Sequence, residues 1–234
     1  MALILNIDTS TEIASISIGN DGLEVGKLIN TDQKDHASWI HEAILKLIAE
    51  SSTELKQLQA IAVTAGPGSY TGIRVGMASA KGLAYALSIP LITENTLRVM
   101  AWSMVNSKYT ALDFNPVGPK SSLYYAPMID ARREEVFTAV FDSDLSEIVP
   151  PIALKLDETA YADQLINREI GFFGSGSDKW KRLNVHQNAH FLKWDYAYFN
   201  LAYLSYQSYV GKVFADLAYV PPYYLKEVYT YKRN

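Results

Sequence analysis

The chain has 234 residues, 49% of them apolar and 20% charged, with a formal net charge of −4 and no cysteine. That length buries a sizeable core, as one large domain or two small ones. The composition excludes disulfides, thiol catalysis and zinc–thiolate sites, argues against strong autonomous nucleic-acid binding, and contains no apolar run near the length of a membrane span.

The opening MALILNIDTS has neither a basic n-region nor a cleavage-site pattern, so no signal peptide and a cytoplasmic location are expected. Leu3 to Asp8 reads as an apolar strand, and Ile13 to Ile18 as a strand with one polar face. Asn20-Asp21-Gly22 is a hairpin turn, and Leu23 to Asn30 completes a three-strand meander. Asp35 can cap a helix running to about Glu50, with Ile40, Ile44, Leu47 and Ile48 on its apolar face. Glu54 to Gln59 is a short helical link into a buried strand, Ala60 to Thr64. Gly66-Pro67-Gly68 breaks that strand, Ser69 and Thr71 are good caps, and Gly72 to Ser88 reads as a helix stopped by Pro90. Residues 1–92 thus read βββαβα.

Thr96 to about Asn106 is a further helix, and Lys108 to Ser122 is the best linker candidate, dividing the chain into 1–107 and 108–234. The second half opens with strands Leu123 to Asp130 and Glu135 to Phe141, which Leu145 to Pro151 ends or extends. A helix over Asp157 to Arg168 follows, then a strand, Ile170 to Phe173, running into Gly174-Ser175-Gly176-Ser177. Asp178 starts another helix, Tyr196 to Lys212 reads as a long one, and Pro221 to Lys226 is extended. Both halves open on strands and then alternate with helices, which suggests an α/β architecture duplicated without visible sequence repeat.

Several constellations carry chemistry or packing. Asp8-Thr9-Ser10-Thr11, between the first two strands, is either a magnesium or phosphate hairpin or a polar turn satisfying its own backbone. Residues 8–13 lack the glycine that close backbone approach to phosphate normally needs. The run Gly66 to Gly72 fits neither GxxxxGK[ST] nor GxGxxG, and is either a capped tight turn or an anion or loop-docking site. Gly72, Gly76, Ala80 and Ala84 recur every four residues, a ridge that either packs within the chain or forms a subunit contact. His36 and His41, five apart, lie roughly 140° apart on a helix and cannot share a metal. His186 and His190 fall in an expected loop, so no metal is assigned. Asp130 and Arg132-Arg133-Glu134 form a charged turn, solvated or facing an acidic or phosphate partner. The 16 tyrosines mostly fall at helix or strand spacing, as packing residues. No Ser/His/Asp set or carboxylate pair stands out, so no catalytic residue is assigned.

Asn6 to Ser10, then AGPGSYTGIRVG over Ala65 to Gly76, then IDARREEVF over Ile129 to Phe137, then Pro222 to Lys226, together resemble the bacterial TsaB family, also called YeaZ. The order and spacing cover essentially the whole chain, and GPGSYTGIRVG is the specific element; Lys226 stands where the family commonly has Arg. The resemblance implies a two-lobed ASKHA fold, as in actin and sugar kinases. It implies a non-catalytic scaffold and activator in forming N6-threonylcarbamoyladenosine at position 37 of tRNAs that read codons starting with A. The partners implied are the paralogue TsaD, which carries metal and active site, and the ATPase TsaE, with tRNA met only through the complex and a homodimer when alone. It also implies an interface on two helices, carried onto His36, Trp39, Ile40, Ile44, Gly72, Arg74, Gly76, Ala80 and Ala84. No tightly bound cofactor is expected, and ATP or ADP only weakly at the complex interface. Asp8, Thr9, Ser10, Gly174 and Gly176 are the candidate contacts for nucleotide. The alternatives are an independent ATP- or metal-dependent hydrolase or peptidase of the M22 type, and a tRNA-binding module.

Overall fold

The structure is a computed structural model that describes residues 1–32, 36–107, 123–183 and 186–226, with the side chain of residue 36 left out. The Asp35 cap and the linker expected over 108–122 lie outside the described residues. Two five-stranded sheets form the framework. In the first, β1 (Leu3–Asp8), β2 (Ala14–Asn20) and β3 (Leu23–Asn30) run antiparallel, while β4 (Ala60–Gly66) and β5 (Leu91–Asn95) add in parallel beyond β1. The second is built from β6 (Leu123–Asp130), β7 (Glu135–Phe141), β8 (Glu147–Lys155), β9 (Glu169–Phe173) and β10 (Ala189–Phe191). Its order, β8-β7-β6-β9-β10, repeats the order β3-β2-β1-β4-β5 strand for strand. The duplication expected from the two meanders is therefore present in topology.

Apolar alternation decides what each sheet face covers. Leu3, Leu5 and Ile7 of β1 point to one side, where they pack with Ile40, Ile44 and Leu47 of α1 (His36–Glu50) and Met77, Ala80 and Ala84 of α2 (Tyr70–Leu87). Ile4, Ala60 and Ala62 point to the other side and share a core with α3 (Thr96–Val105) and with Leu123, Tyr125, Phe141 and Phe173 of the second sheet. One core around α3 thus joins the two sheets at their base. A third core, centred on the fully buried Trp180, lies beneath α4 (Ala162–Asn167) and α5 (Ser177–Lys181).

The structure departs from the sequence reading at five elements, one of them β10, a strand carrying His190 where a loop was expected. The five-residue β5 fits between α2 and α3, where no strand was expected. β8 runs to Lys155 in spite of Pro150 and Pro151, which an edge strand tolerates because its outward groups need no ladder partner. The helix expected over Asp157 to Arg168 shrinks to the six residues of α4. The long helix expected from Tyr196 to Lys212 splits into a 3-10 turn, Tyr196–Tyr198, and α6 (Ala202–Val210). Lys27 from β3 explains the break: its ammonium donates to the carbonyls of Ala197 and Phe199, oxygens a continuous helix would use itself. Asn200 then restarts the chain, its side chain accepting from the Ala202 N–H at 2.9 Å. α6 lies back on the first sheet. Among the described residues, no helix is long and apolar enough to cross a membrane.

Candidate functional site

β1 ends on Asp8, and the 8–13 connection meets the glycine turn at the tip of β4. The Asp8 Oδ1 accepts from the Ser10 N–H at 3.1 Å, the Ser10 hydroxyl at 2.6 Å and the Thr64 hydroxyl. Oδ2 is buried and unpartnered. Burial, the largest influence, holds the carboxyl above its ordinary range, and the donors from Ser10 and Thr64 offset only part of that. Thr9 donates its hydroxyl to the Gly72 carbonyl at 2.6 Å, and the Ser69 N–H donates to the Ser10 carbonyl at 2.6 Å. A Cβ on Gly68 would overlap that Ser10 carbonyl, and one on Gly72 would overlap the Thr9 carbonyl. The glycine turn therefore sits directly on the hairpin.

This packing tests the nucleotide that the fold class implies. A phosphate at such a hairpin needs open N–H donors and room for its oxygens. Here Asp8, Thr9 and Ser10 are 1% exposed or less, the Thr9 and Ser10 carbonyls face the glycines, and Asp8 Oδ1 is taken by Ser10 and Thr64 while Oδ2 is left without a partner. Asp8, Thr9 and Ser10 are thus tied into the packing of the hairpin on the glycine turn, with Ser10, Gly68 and Ser69 at the edge of the open space in front of it.

In front of the hairpin, a cleft of about 740 Å³ opens between the sheets. Thr11, Glu12, Tyr70 and Thr71 form one wall, and Asp130 to Arg133 with Ser175 and Lys179 the other. Lys179 braces that second wall, donating to Asp130 Oδ1 and to the Arg133 carbonyl, both at 2.6 Å. Arg132 and Arg133 have φ of 65° and 50°, a left-handed pair at a hairpin tip that presents both side chains outward. A neighbouring cavity of about 360 Å³ is lined by Gly174, Ser175, Trp194 and Tyr196 among others. Gly174 thus borders open space, whereas Gly176 is used for packing: a Cβ there would meet Val136, and its N–H donates to the Met128 carbonyl at 3.0 Å.

The residues expected at the interface fall mostly inside the chain, and the side chain of His36 lies outside the described residues. Ile40 and Ile44 are buried in the first core, as are Gly72, Gly76, Ala80 and Ala84. The small-residue ridge faces the chain's own β1 and β4: a Cβ on Gly76 would land on the Thr9 hydroxyl, with Val63 next. It is an intramolecular seam that lets α2 lie close to the sheet. Trp39 is partly buried against the same core, and Arg74 alone of the nine is exposed on α2. The open face of α2 carries Arg74, Ala78, Gly82 and Tyr85, with Tyr85 78% exposed and nothing within 4 Å of a Cβ on Gly82.

Sequence reading missed two further contacts. Arg74 stacks over the Tyr70 ring at 4.0 Å and donates its Nε–H to the Tyr224 hydroxyl at 2.9 Å. Lys226 pairs with Glu135 of β7. Both join positions some 90 to 150 apart in sequence, and no local pattern signals such pairs.

A family model described as "TsaD: tRNA N6-adenosine threonylcarbamoyltransferase" matches residues 30–220. The Escherichia coli protein named tRNA threonylcarbamoyladenosine biosynthesis protein TsaB is 32% identical over 141 residues, which is 60% of this chain and 55% of that one. The Bacillus subtilis protein of the same name is 27% identical over 183 residues, 77% of this chain and 74% of its own. The chain thus aligns with little more than half the length of the first relative. The solved structure of YeaZ from Pseudomonas aeruginosa superposes with a TM-score of 0.74 at 21% identity, covering 96% of this chain and all of that one. The two-lobed α/β fold that the resemblance implied is accordingly the fold of the solved YeaZ structure. With the family model matched over most of its length, the chain belongs to the TsaB/YeaZ family of TsaD-type proteins.

Proposed function

We propose that this chain is a non-catalytic scaffold and activator in the formation of threonylcarbamoyladenosine in tRNA, the process named in its relatives. It pairs with TsaD, provides part of the surface where TsaE docks, and meets tRNA through that complex, in keeping with its net charge of −4. The observation that carries this reading is the family match over residues 30–220 together with relatives named for this process. The two units expected from sequence, 1–107 and 108–234, are scaffold lobes on this reading, with α6 and the segment after it returning from the second unit to the first sheet, and the place of work is cytoplasmic.

The partner surface is the open face of α2, not its buried ridge. Arginine and tyrosine are the residue types that dominate interface energetics, and here Arg74 and Tyr85 flank the small Ala78 and Gly82. Gly82→Trp is expected to weaken both self-association and pairing with TsaD at least about tenfold while leaving the melting temperature within a few degrees of wild type. Light scattering on the protein alone and mixed with TsaD reads the effect. Normal pairing by the folded variant removes α2 as the interface. The isolated protein is also expected to show no thermal shift with Mg-ATP or zinc; a saturable shift would favour the hydrolase reading instead.

A further inference from the structure

Residues 221–226 leave the first lobe and reach the second. α6 and the segment after it belong to the first sheet, where Ala215 bridges Leu91 and Leu217 and Val220 pack into the core. From there the chain crosses the glycine turn. The Tyr223 N–H donates to the Ala65 carbonyl at 2.7 Å, and the Tyr223 carbonyl lies where a side chain on Gly66 would be. Tyr224 packs on Tyr70, ring centres 5.1 Å apart, and accepts from Arg74. Lys226 then pairs with Glu135 on β7 of the second lobe. The groove under this segment shares Gly68, Tyr70 and Phe137 with the interlobe cleft, so the segment forms part of the cleft wall.

We propose that residues 221–226 are a releasable strap that sets the opening of the interlobe cleft, with Lys226–Glu135 as its latch. The lobes share a core at their base around α3, so only the cleft mouth is free to widen. The strap closes that mouth at one edge. Its first-lobe anchors are a backbone hydrogen bond and aromatic packing. Among the described residues, its second-lobe anchor is an ion pair between side chains 28% and 29% exposed, which is weak and sensitive to salt. The crossing is therefore held fast at one end and loosely at the other. Anything that competes for Glu135 or Lys226 would free the mouth without disturbing either core.

The chain lacks cysteine, so Glu12→Cys and Glu134→Cys, exposed on opposite sides of the cleft, accept a unique pair of spin labels. In this background Lys226→Gln is expected to move the label distances to longer and broader values. Amide exchange over 66–72 should quicken about tenfold, and 1 M salt should do the same to the wild-type strap. Exchanging the charges, Lys226→Glu with Glu135→Lys, should restore the original distances and exchange. Truncation after Val220 should open the mouth furthest; if that variant unfolds, the point variants still decide. Wild-type distances and exchange in folded Lys226→Gln overturn the proposal, as does failure of the charge exchange to restore them.

Discussion

Gly72→Ala is expected to destabilise the fold by more than about 3 kcal/mol, although it adds one methyl group and improves helix propensity. The methyl has nowhere to go. A Cβ at residue 72 meets the backbone carbonyl of Thr9, and that carbonyl is fixed by its own strand end and by the Thr9 hydroxyl's bond to Gly72. Relief requires α2 to lift from β1, which opens the seam along Gly76, Ala80 and Ala84. Gly76→Ala should cost less, because the obstructing atom is the Thr9 hydroxyl, a side-chain group that can rotate at the expense of its hydrogen bond. Gly82 is the control. It lies in the same helix with nothing within 4 Å of its would-be Cβ, so Gly82→Ala should stabilise by about 0.5–1 kcal/mol. Urea melts of the three variants read the series directly. Equal effects at positions 72 and 82 would mean that α2 does not sit on the hairpin as described.

That series also marks what a sequence can and cannot disclose. The period-four glycines and alanines announced a close contact, and the Ser69 cap and the strand before it were legible from local chemistry. The side of the helix to be buried was not, because α2 carries small residues on both faces: Gly72, Gly76, Ala80 and Ala84 inside, Ala78, Gly82 and Ala86 outside. Only the position of the sheet distinguishes them. The repeated strand order was legible from two opening meanders, whereas β5 was hidden by its brevity. The break before α6 depends on Lys27, about 170 residues away, and a helix propensity cannot register a competitor so distant. The tight packing of the hairpin was foreshadowed by the missing glycine in residues 8–13. Its physical cause lies in the other partner, the turn at Gly68 and Gly72 that lies against the Ser10 and Thr9 carbonyls.

Asp8→Ala is expected to cost about 2–4 kcal/mol at pH 7, and Asp8→Asn much less. Alanine leaves the Ser10 N–H, the Ser10 hydroxyl and the Thr64 hydroxyl without their common acceptor inside the protein. Asparagine keeps an oxygen for them and removes the buried charge; its amide nitrogen takes the place of Oδ2, beside the polar side chains of Asn6, Ser15 and Ser17. The two variants also separate in their dependence on pH. Burial raises the Asp8 carboxyl above its unfolded value, and raises Glu24 and Glu94 likewise. A raised carboxyl binds its proton more tightly in the folded state than in the unfolded chain. Its contribution to stability is therefore complete below the ordinary value near about pH 4 and is lost as pH rises through the folded value. The wild type should weaken from these three groups as pH increases across that window. Asp8→Asn should flatten the slope, leaving the part due to Glu24 and Glu94, and should gain most on the wild type at the alkaline end. Chemical denaturation at intervals from pH 4.5 to 8 gives both slopes. An unchanged slope in Asp8→Asn would place the titrating burden on Glu24 and Glu94 and leave Asp8 a polar filler between the hairpin and Thr64. A flattened slope would identify Asp8 as a charge that the lobe confines at a cost.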